Sequence, residues 1–225
     1  MKNLNQIKLV VFDVNQTLFH LKELEKRFKQ IGLKKYHCEL WFNNVLKEGF
    51  SLGCLGIFKP FKSIGLDQLK SILVKEKKPS KGSQYILEGF SELKAHKNIK
   101  ESFRLLKKKK IKIATLTNGH SGITKILLKK NGLSKYVDHC FSVDDVKKWK
   151  PFPEAYQQVL HHYKIKPNKA IMIASHAWDI AGAMNAGLNS GYVENYEGRF
   201  KSYYKKPDIS GETVLEVIKK IIISI

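Results

Sequence analysis

The chain has 225 residues, 43% of them hydrophobic, enough to bury a sizeable core in one or two domains and too apolar for a wholly disordered protein. No apolar run approaches the ~20 residues of a membrane helix, and residues 7–12 are too short a run for a secretory signal core. Lysine and arginine number 41 against 20 acidic residues, a formal charge of +21 that suits nucleic acid, acidic membranes or anionic substrates.

Residues 7–12, Ile-Lys-Leu-Val-Val-Phe, form a nearly continuous apolar run, as expected of a strand buried on both faces. From residue 19 to 93 the pattern turns helical, with stretches at 21–31, 38–50 and 66–77. Gly53, Gly56, Pro60, Gly65, Pro79 and Gly82 punctuate it. Residues 99–109 carry Ile99, Phe103 and Leu106 close to a helical period. A second strand follows at 111–117, a helix at 122–130 and a weaker strand at 137–143. Pro153 opens a helix over 153–163, where its fixed φ suits the first turn. A strand at 170–174, a helix at 178–186, a short strand at 191–194 and a helix at 213–223 complete the chain. Strands alternating with helices predict a doubly wound, parallel-sheet α/β core. Residues 1–18 and 94–225 are expected to form that core, and 19–93 a helical insertion covering the carboxyl edge of the sheet, where open α/β sheets bind ligands.

The charge reads mainly as a solvated, lysine-biased surface. Only Arg27, Arg104 and Arg199 are arginines, the lysines are spread along the whole length, and readers of phosphates and bases usually use the guanidinium fork. No nucleic acid or membrane partner is expected. Cys38, Cys54 and Cys140 are odd in number and lack CxxC spacing, which argues against a disulfide framework or a cysteine zinc site and for a reducing, cytoplasmic setting.

Four segments place chemistry-bearing residues just after strands. Asp13 ends the first strand, in Phe12-Asp13-Val14-Asn15-Gln16-Thr17. Leu116-Thr117-Asn118-Gly119 ends the second and offers a hydroxyl, an amide and a turn before free helix N–H groups. Lys150 stands in Lys148-Trp149-Lys150-Pro151-Phe152-Pro153, where two prolines fix the backbone. Ala174-Ser175-His176-Ala177-Trp178-Asp179 leaves the fourth strand. Each alone has an ordinary reading: a loop-capping aspartate, a strand-to-helix turn, one lysine among many, an N-cap serine.

Taken in this order, with a helical insertion after the first, the segments resemble the haloacid dehalogenase superfamily, most closely its type II 2-haloacid dehalogenase branch. The resemblance covers most of the chain. It implies a Rossmann-like core with a helical cap, and a metal-independent hydrolase without a cofactor, acting on a small anionic 2-halo acid. Asp13 would be the nucleophile, forming an ester that water then hydrolyses. Lys150 would hold positive charge beside it, Thr17 matches the threonine four residues on, and Asp179 would position Lys150 or the hydrolytic water. Thr117 and Asn118 match the segment that binds the substrate carboxylate. Tyr156, six residues after Lys150, and His176, where many dehalogenases carry asparagine, join the substrate-binding set. Trp41 and Phe42 are expected to line the pocket. A homodimer is the oligomer the resemblance suggests.

Magnesium-dependent phosphatases of the superfamily carry a second aspartate two residues after the nucleophile and a Gly-Asp pair in the fourth segment. Here Asn15 and Ala174-Ser175 stand instead, so a magnesium phosphatase is the second reading. A basic binding protein on a retired hydrolase fold is the third. Departures from the dehalogenases are also plain. The cap arginine that follows a tryptophan is Phe42, and Arg27, the nearest candidate, is expected to face solvent. Gln16 replaces a glycine and suggests an altered turn, and Ala174 replaces a serine.

Overall fold

The computed structural model describes residues 4–224. In chain order the regular elements are β1 (Leu9–Phe12), β2 (Phe19–His20), α1 (Lys22–Gln30), α2 (Tyr36–Cys54), α3 (Phe61–Lys75), α4 (Gly82–Glu88), β3 (Lys94–Ala95) and α5 (Ile99–Lys108). Then come β4 (Lys112–Thr117), α6 (Ser121–Lys130), β5 (His139–Ser142), α7 (Pro153–Tyr163), β6 (Ala170–Ala174), α8 (Ala177–Asn185), β7 (Asn189–Val193), β8 (Ile209–Gly211) and α9 (Val214–Ile223).

Six strands form one parallel sheet in the order β5-β4-β1-β6-β7-β8, the doubly wound α/β arrangement expected. Every residue of β1 and β6 is buried, because apolar side chains on both faces meet covering helices. Helix α5 packs on α9, and α7 packs on α8. Strand β1 lies between β4 and β6, with Phe12 opposite Thr115 on one side and Ile173 on the other. The chain visits β4 and β5 on one side of β1 and β6, β7 and β8 on the other. The carboxyl end of β1 is therefore the switch point at which a crevice opens, and Asp13 is the first residue beyond it.

Helices α1 to α4 interrupt this alternation and pack largely on one another. Trp41 sits at their centre, fully buried. It donates its indole N–H to the Gly65 carbonyl at 2.9 Å and is ringed by Phe28, Phe42, Phe61 and Phe90. A two-residue antiparallel pairing, Phe19 with Ala95 and His20 with Lys94, ties the start of the helical segment to its end. Three elements differ from expectation. Helix α3 begins at Phe61 and runs through Gly65, α4 begins at Gly82, and the three-residue edge strand β8 had no apolar run to announce it. Among the described residues no helix is long and apolar enough to cross a membrane.

Candidate active site

Asp13, Thr17, Lys150, Asp179 and His176, far apart in sequence, meet at the carboxyl end of β1. Lys150 Nζ donates to Asp13 Oδ1 at 2.8 Å, to Asp179 Oδ2 at 2.6 Å and to the Leu116 carbonyl at 3.0 Å, which uses all three ammonium hydrogens. Thr17 donates its hydroxyl to Asp13 Oδ2 at 2.7 Å and accepts the Ser175 N–H at 2.9 Å. Tyr156 donates to Asp179 Oδ1 at 2.7 Å. All of these side chains are buried.

A buried lysine is tolerable only when it is paired and hydrogen-bonded, and the surrounding sequence secures that. The Asn118 amide clamps the Lys150 backbone, accepting its N–H at 2.8 Å and donating to its carbonyl at 3.4 Å. Trp149 anchors the preceding residue by donating its indole N–H to the Lys59 carbonyl at 2.9 Å. The Lys150-Pro151 peptide is cis. Gly182 lets α8 close on this segment: a Cβ there would stand 2.5 Å from Pro151 Cβ and 2.6 Å from Tyr156 Oη.

Burial alone would push the Asp13 carboxyl up, but the Lys150 ammonium and His176 outweigh it, so Asp13 is held well below the ordinary carboxylate range. Burial disfavours the Lys150 ammonium, and the two carboxylates more than offset this, raising its pKa. Asp179 moves the other way from Asp13. Burial raises it, Lys150 opposes, and the charge on Asp13 raises it further. Burial and then Asp179 push the Tyr156 hydroxyl well above its ordinary value, keeping it a neutral donor.

His176 Nε2 pairs with Gln16 Oε1 at 2.8 Å, and Nδ1 points toward Asp13 Oδ2 at 3.5 Å without a hydrogen bond of its own. Phe42 stacks over the imidazole with ring centroids 6.4 Å apart. Beside this cluster lies a cavity of about 850 Å³, bounded by Val14, Asn15 and Thr117 from the sheet edge and by residues of α3 and α4 opposite.

Several expectations need correcting. Tyr156 is not a substrate contact, because it is fully buried with its hydroxyl spent on Asp179. Asn118 is likewise committed to the Lys150 backbone, whereas Thr117 does reach the cavity wall. Trp41 is absorbed by the helical core, and Phe42 faces His176 rather than the cavity. Arg27 does not face solvent: it donates to Glu92 at 2.7 Å and to the Tyr85 carbonyl, and its guanidinium lies over the Tyr85 ring. The turn after Asp13 keeps a glycine-like backbone, with Gln16 at φ 65°. Four bonds support that conformation: its N–H donates to Phe19 O at 2.7 Å, its carbonyl meets His96 Nε2 at 3.0 Å and accepts the Ser175 hydroxyl at 3.4 Å, and its side chain holds His176. Gln16 and Gly182 are site residues that the sequence reading missed. Gln16 stood in the right segment but was read only as a departure from glycine.

The sequence matches the haloacid dehalogenase-like hydrolases over residues 10–193, and the chain belongs to that family. It is 31% identical over 122 residues to (S)-2-haloacid dehalogenase 4A of Burkholderia cepacia, a match covering 54% of this chain and 52% of that protein, so that it spans about half the relative's length. It is 26% identical over 193 residues to (S)-2-haloacid dehalogenase 1 of Pseudomonas sp. (strain CBS-3), covering 83% and 84% of the two chains. The fold is similar to that of the L-2-haloacid dehalogenase from Xanthobacter autotrophicus, with a TM-score of 0.88, 21% identity, and 96% and 98% of the chains covered.

Proposed function

We propose that the chain hydrolyses the carbon–halogen bond of 2-halo acids, with Asp13 as nucleophile and without a metal. The observation that carries this reading is a buried carboxylate kept ionised by a lysine, with the two residues after it, Val14 and Asn15, lining a cavity. In the first step an Asp13 oxygen attacks C2 of the acid, and the carbon–halogen bonding pair leaves with the halide. Thr117 supplies a hydroxyl for the substrate carboxylate. Water then adds to the Asp13 carboxyl carbon. The ester bond to the carboxyl carbon breaks, the former Asp13 oxygen departs in the 2-hydroxy acid, and a proton is released. Lys150 carries the positive charge that offsets the oxyanion of this second step. His176 Nδ1, facing Asp13 with no partner, is positioned to contact the water or the leaving halide. In this reading residues 19–93 are a cap over the site.

The donor set fits magnesium poorly. The ammonium of Lys150 already bridges Asp13 and Asp179, the positions that would add hard oxygen donors are Asn15 and Ser175, and among the described residues no three acidic, cysteine or histidine side chains cluster as a metal site. We therefore derive no step through a metal.

The test is halide release from L-2-chloropropionate and bromoacetate by chelator-treated wild type and by Asp13→Asn, followed by a single turnover in ¹⁸O water. The expected result is release by the wild type only, with the heavy oxygen in Asp13 and none in the first-turnover product. Label in the hydroxy acid would mean that water attacks the substrate directly and would sink the ester route.

A further inference from the structure

The cavity is far larger than a three-carbon halo acid requires. At about 30 Å³ per water molecule in the liquid, its 850 Å³ is the space of roughly 28 waters. It falls within the range of about 300–1,000 Å³ found for pockets that take drug-sized ligands. Its near wall is Val14, Asn15 and Thr117, the residues immediately after Asp13 and at the end of β4. Its other walls include Phe61 from α3, Leu87 from α4 and Ile123 from α6, and most of the lining surface is carbon, although Lys62, Glu88, Asp144 and Lys147 also border the space. A propionate-sized ligand held at Thr117 leaves the three apolar side chains facing water, and burying them against a ligand would gain free energy with each carbon added.

We infer that the physiological substrate is a medium-chain 2-substituted acid, whose carboxylate and C2 sit at Asp13 and Thr117 and whose apolar tail of several carbons occupies the cavity between Phe61, Leu87 and Ile123. For its chemistry this rests on the dehalogenase reading; for its size it rests on the cavity alone. Ile123 then sets chain-length preference. Ile126, one turn along the same helix and 43% exposed, does not border the cavity.

The experiment measures two quantities across chain lengths of three, six and eight carbons. One is the calorimetric affinity of the unreactive 2-hydroxy acids for wild type. The other is kcat/KM for halide release from the matching 2-bromo acids. Affinity is expected to tighten by roughly two- to fourfold per methylene, with kcat/KM rising in parallel. Ile123→Trp should abolish the gain for the eight-carbon acid relative to the three-carbon acid, while Ile126→Trp should keep it. Affinity and rate that are flat or falling with chain length, alongside release from the three-carbon acid, overturn the inference and leave the dehalogenase reading standing. Tight binding of the eight-carbon hydroxy acid without halide release from any bromo acid overturns the dehalogenase reading and supports the inference. Neither binding nor release overturns both. An equal chain-length profile in both tryptophan variants overturns the assignment of the tail to this cavity.

Discussion

Replacing Lys150 by methionine removes the ammonium that contacts Asp13 without removing much volume, and leaves His176 3.5 Å away on its other oxygen. The ammonium stands 2.8 Å from Asp13 Oδ1. At an effective dielectric near 20, a unit pair at that separation is worth about 6 kcal/mol, equivalent to a factor of about 10⁴ in proton affinity. The variant also leaves Asp13 facing a buried Asp179 with nothing between them, which favours the protonated carboxyl further. The facing carboxyls then share a proton near neutrality, so Asp13 is ionised only part of the time, and the ester hydrolysis loses the charge that offsets its oxyanion. Halide release at pH 7.5 should fall by about 10³-fold or more, with part of it recovered as pH rises toward 9. Circular dichroism and urea unfolding check that the variant folds. Because losing one partner of a buried ion pair costs about 3–5 kcal/mol, Tyr156→Phe runs beside it. That variant strips one donor from Asp179 but leaves the Asp13–Lys150 contact, so it should lose about 1–3 kcal/mol of stability and stay within roughly tenfold of wild-type activity. The reasoning fails if folded Lys150→Met keeps a tenth of the activity with an unchanged pH profile, or if Tyr156→Phe is as inactive as Lys150→Met.

Two other perturbations follow from the same contacts. Gly182→Ala would drive a Cβ to 2.5 Å from Pro151 and 2.6 Å from Tyr156 Oη. Overpacking of this kind costs about 1–3 kcal/mol, against a helix-propensity gain of at most about 1 kcal/mol, so the melting temperature and kcat should both drop; a rise in stability with full activity would contradict the close approach of α8. Asp13 is held below the ordinary aspartate range, so in acid the unfolded chain binds a proton that the folded chain does not, and stability falls as pH falls below ~4. Asp13→Asn removes that titration, and the wild type's urea midpoint should therefore lose ground to the variant's between pH 5 and pH 2.5. A difference that stays constant or grows would show that Asp13 is not ionised in the folded protein.

The parts of the fold visible in the sequence are those whose burial leaves a continuous trace. Strands β1, β4 and β6 are nearly unbroken apolar runs because both their faces are covered. Strand β8, the β2–β3 pairing and α4 left no such trace. The first two are three residues long or fewer, and α4 opens on a glycine that reads as a breaker. In the site, Asp13, Lys150 and Asp179 were legible through the resemblance of their ordered segments to the dehalogenases, and strand ends of a parallel sheet converging on one edge explain why they meet. The direction of the polar side chains around them was not. Tyr156 and Asn118 lie in the right segments, but whether a hydroxyl or amide turns toward the cavity or inward to hold Lys150 depends on what is buried behind it. The conformation of Gln16 was illegible for a similar reason: a left-handed glutamine costs about 1–2 kcal/mol, and it is held there by a local bond to Phe19 and by contacts from the distant His96, Ser175 and His176.

The same cluster implies an order of sensitivity in the proposed reaction. Before substrate reacts, one ammonium faces two carboxylates, and Lys150 is charged with either of them as partner. Once Asp13 carries the ester its charge is gone, and among the described residues Asp179 is the only anionic side chain left touching the Lys150 ammonium. Asp179→Asn therefore leaves Lys150 paired with Asp13 in the resting protein but buried without a counter-ion in the intermediate, where a desolvated cation favours losing its proton. The first step should then suffer less than the hydrolysis that needs Lys150 charged. In a stopped-flow assay the variant should release about one halide per protein in a burst, followed by a steady rate slower by about 10²-fold or more. Mass spectrometry of the quenched burst should find Asp13 alkylated. Halide and hydroxy acid appearing at equal, uniformly reduced rates with no burst would show that Asp179 supports the attack of Asp13 itself, and that the charge argument assigns it to the wrong step.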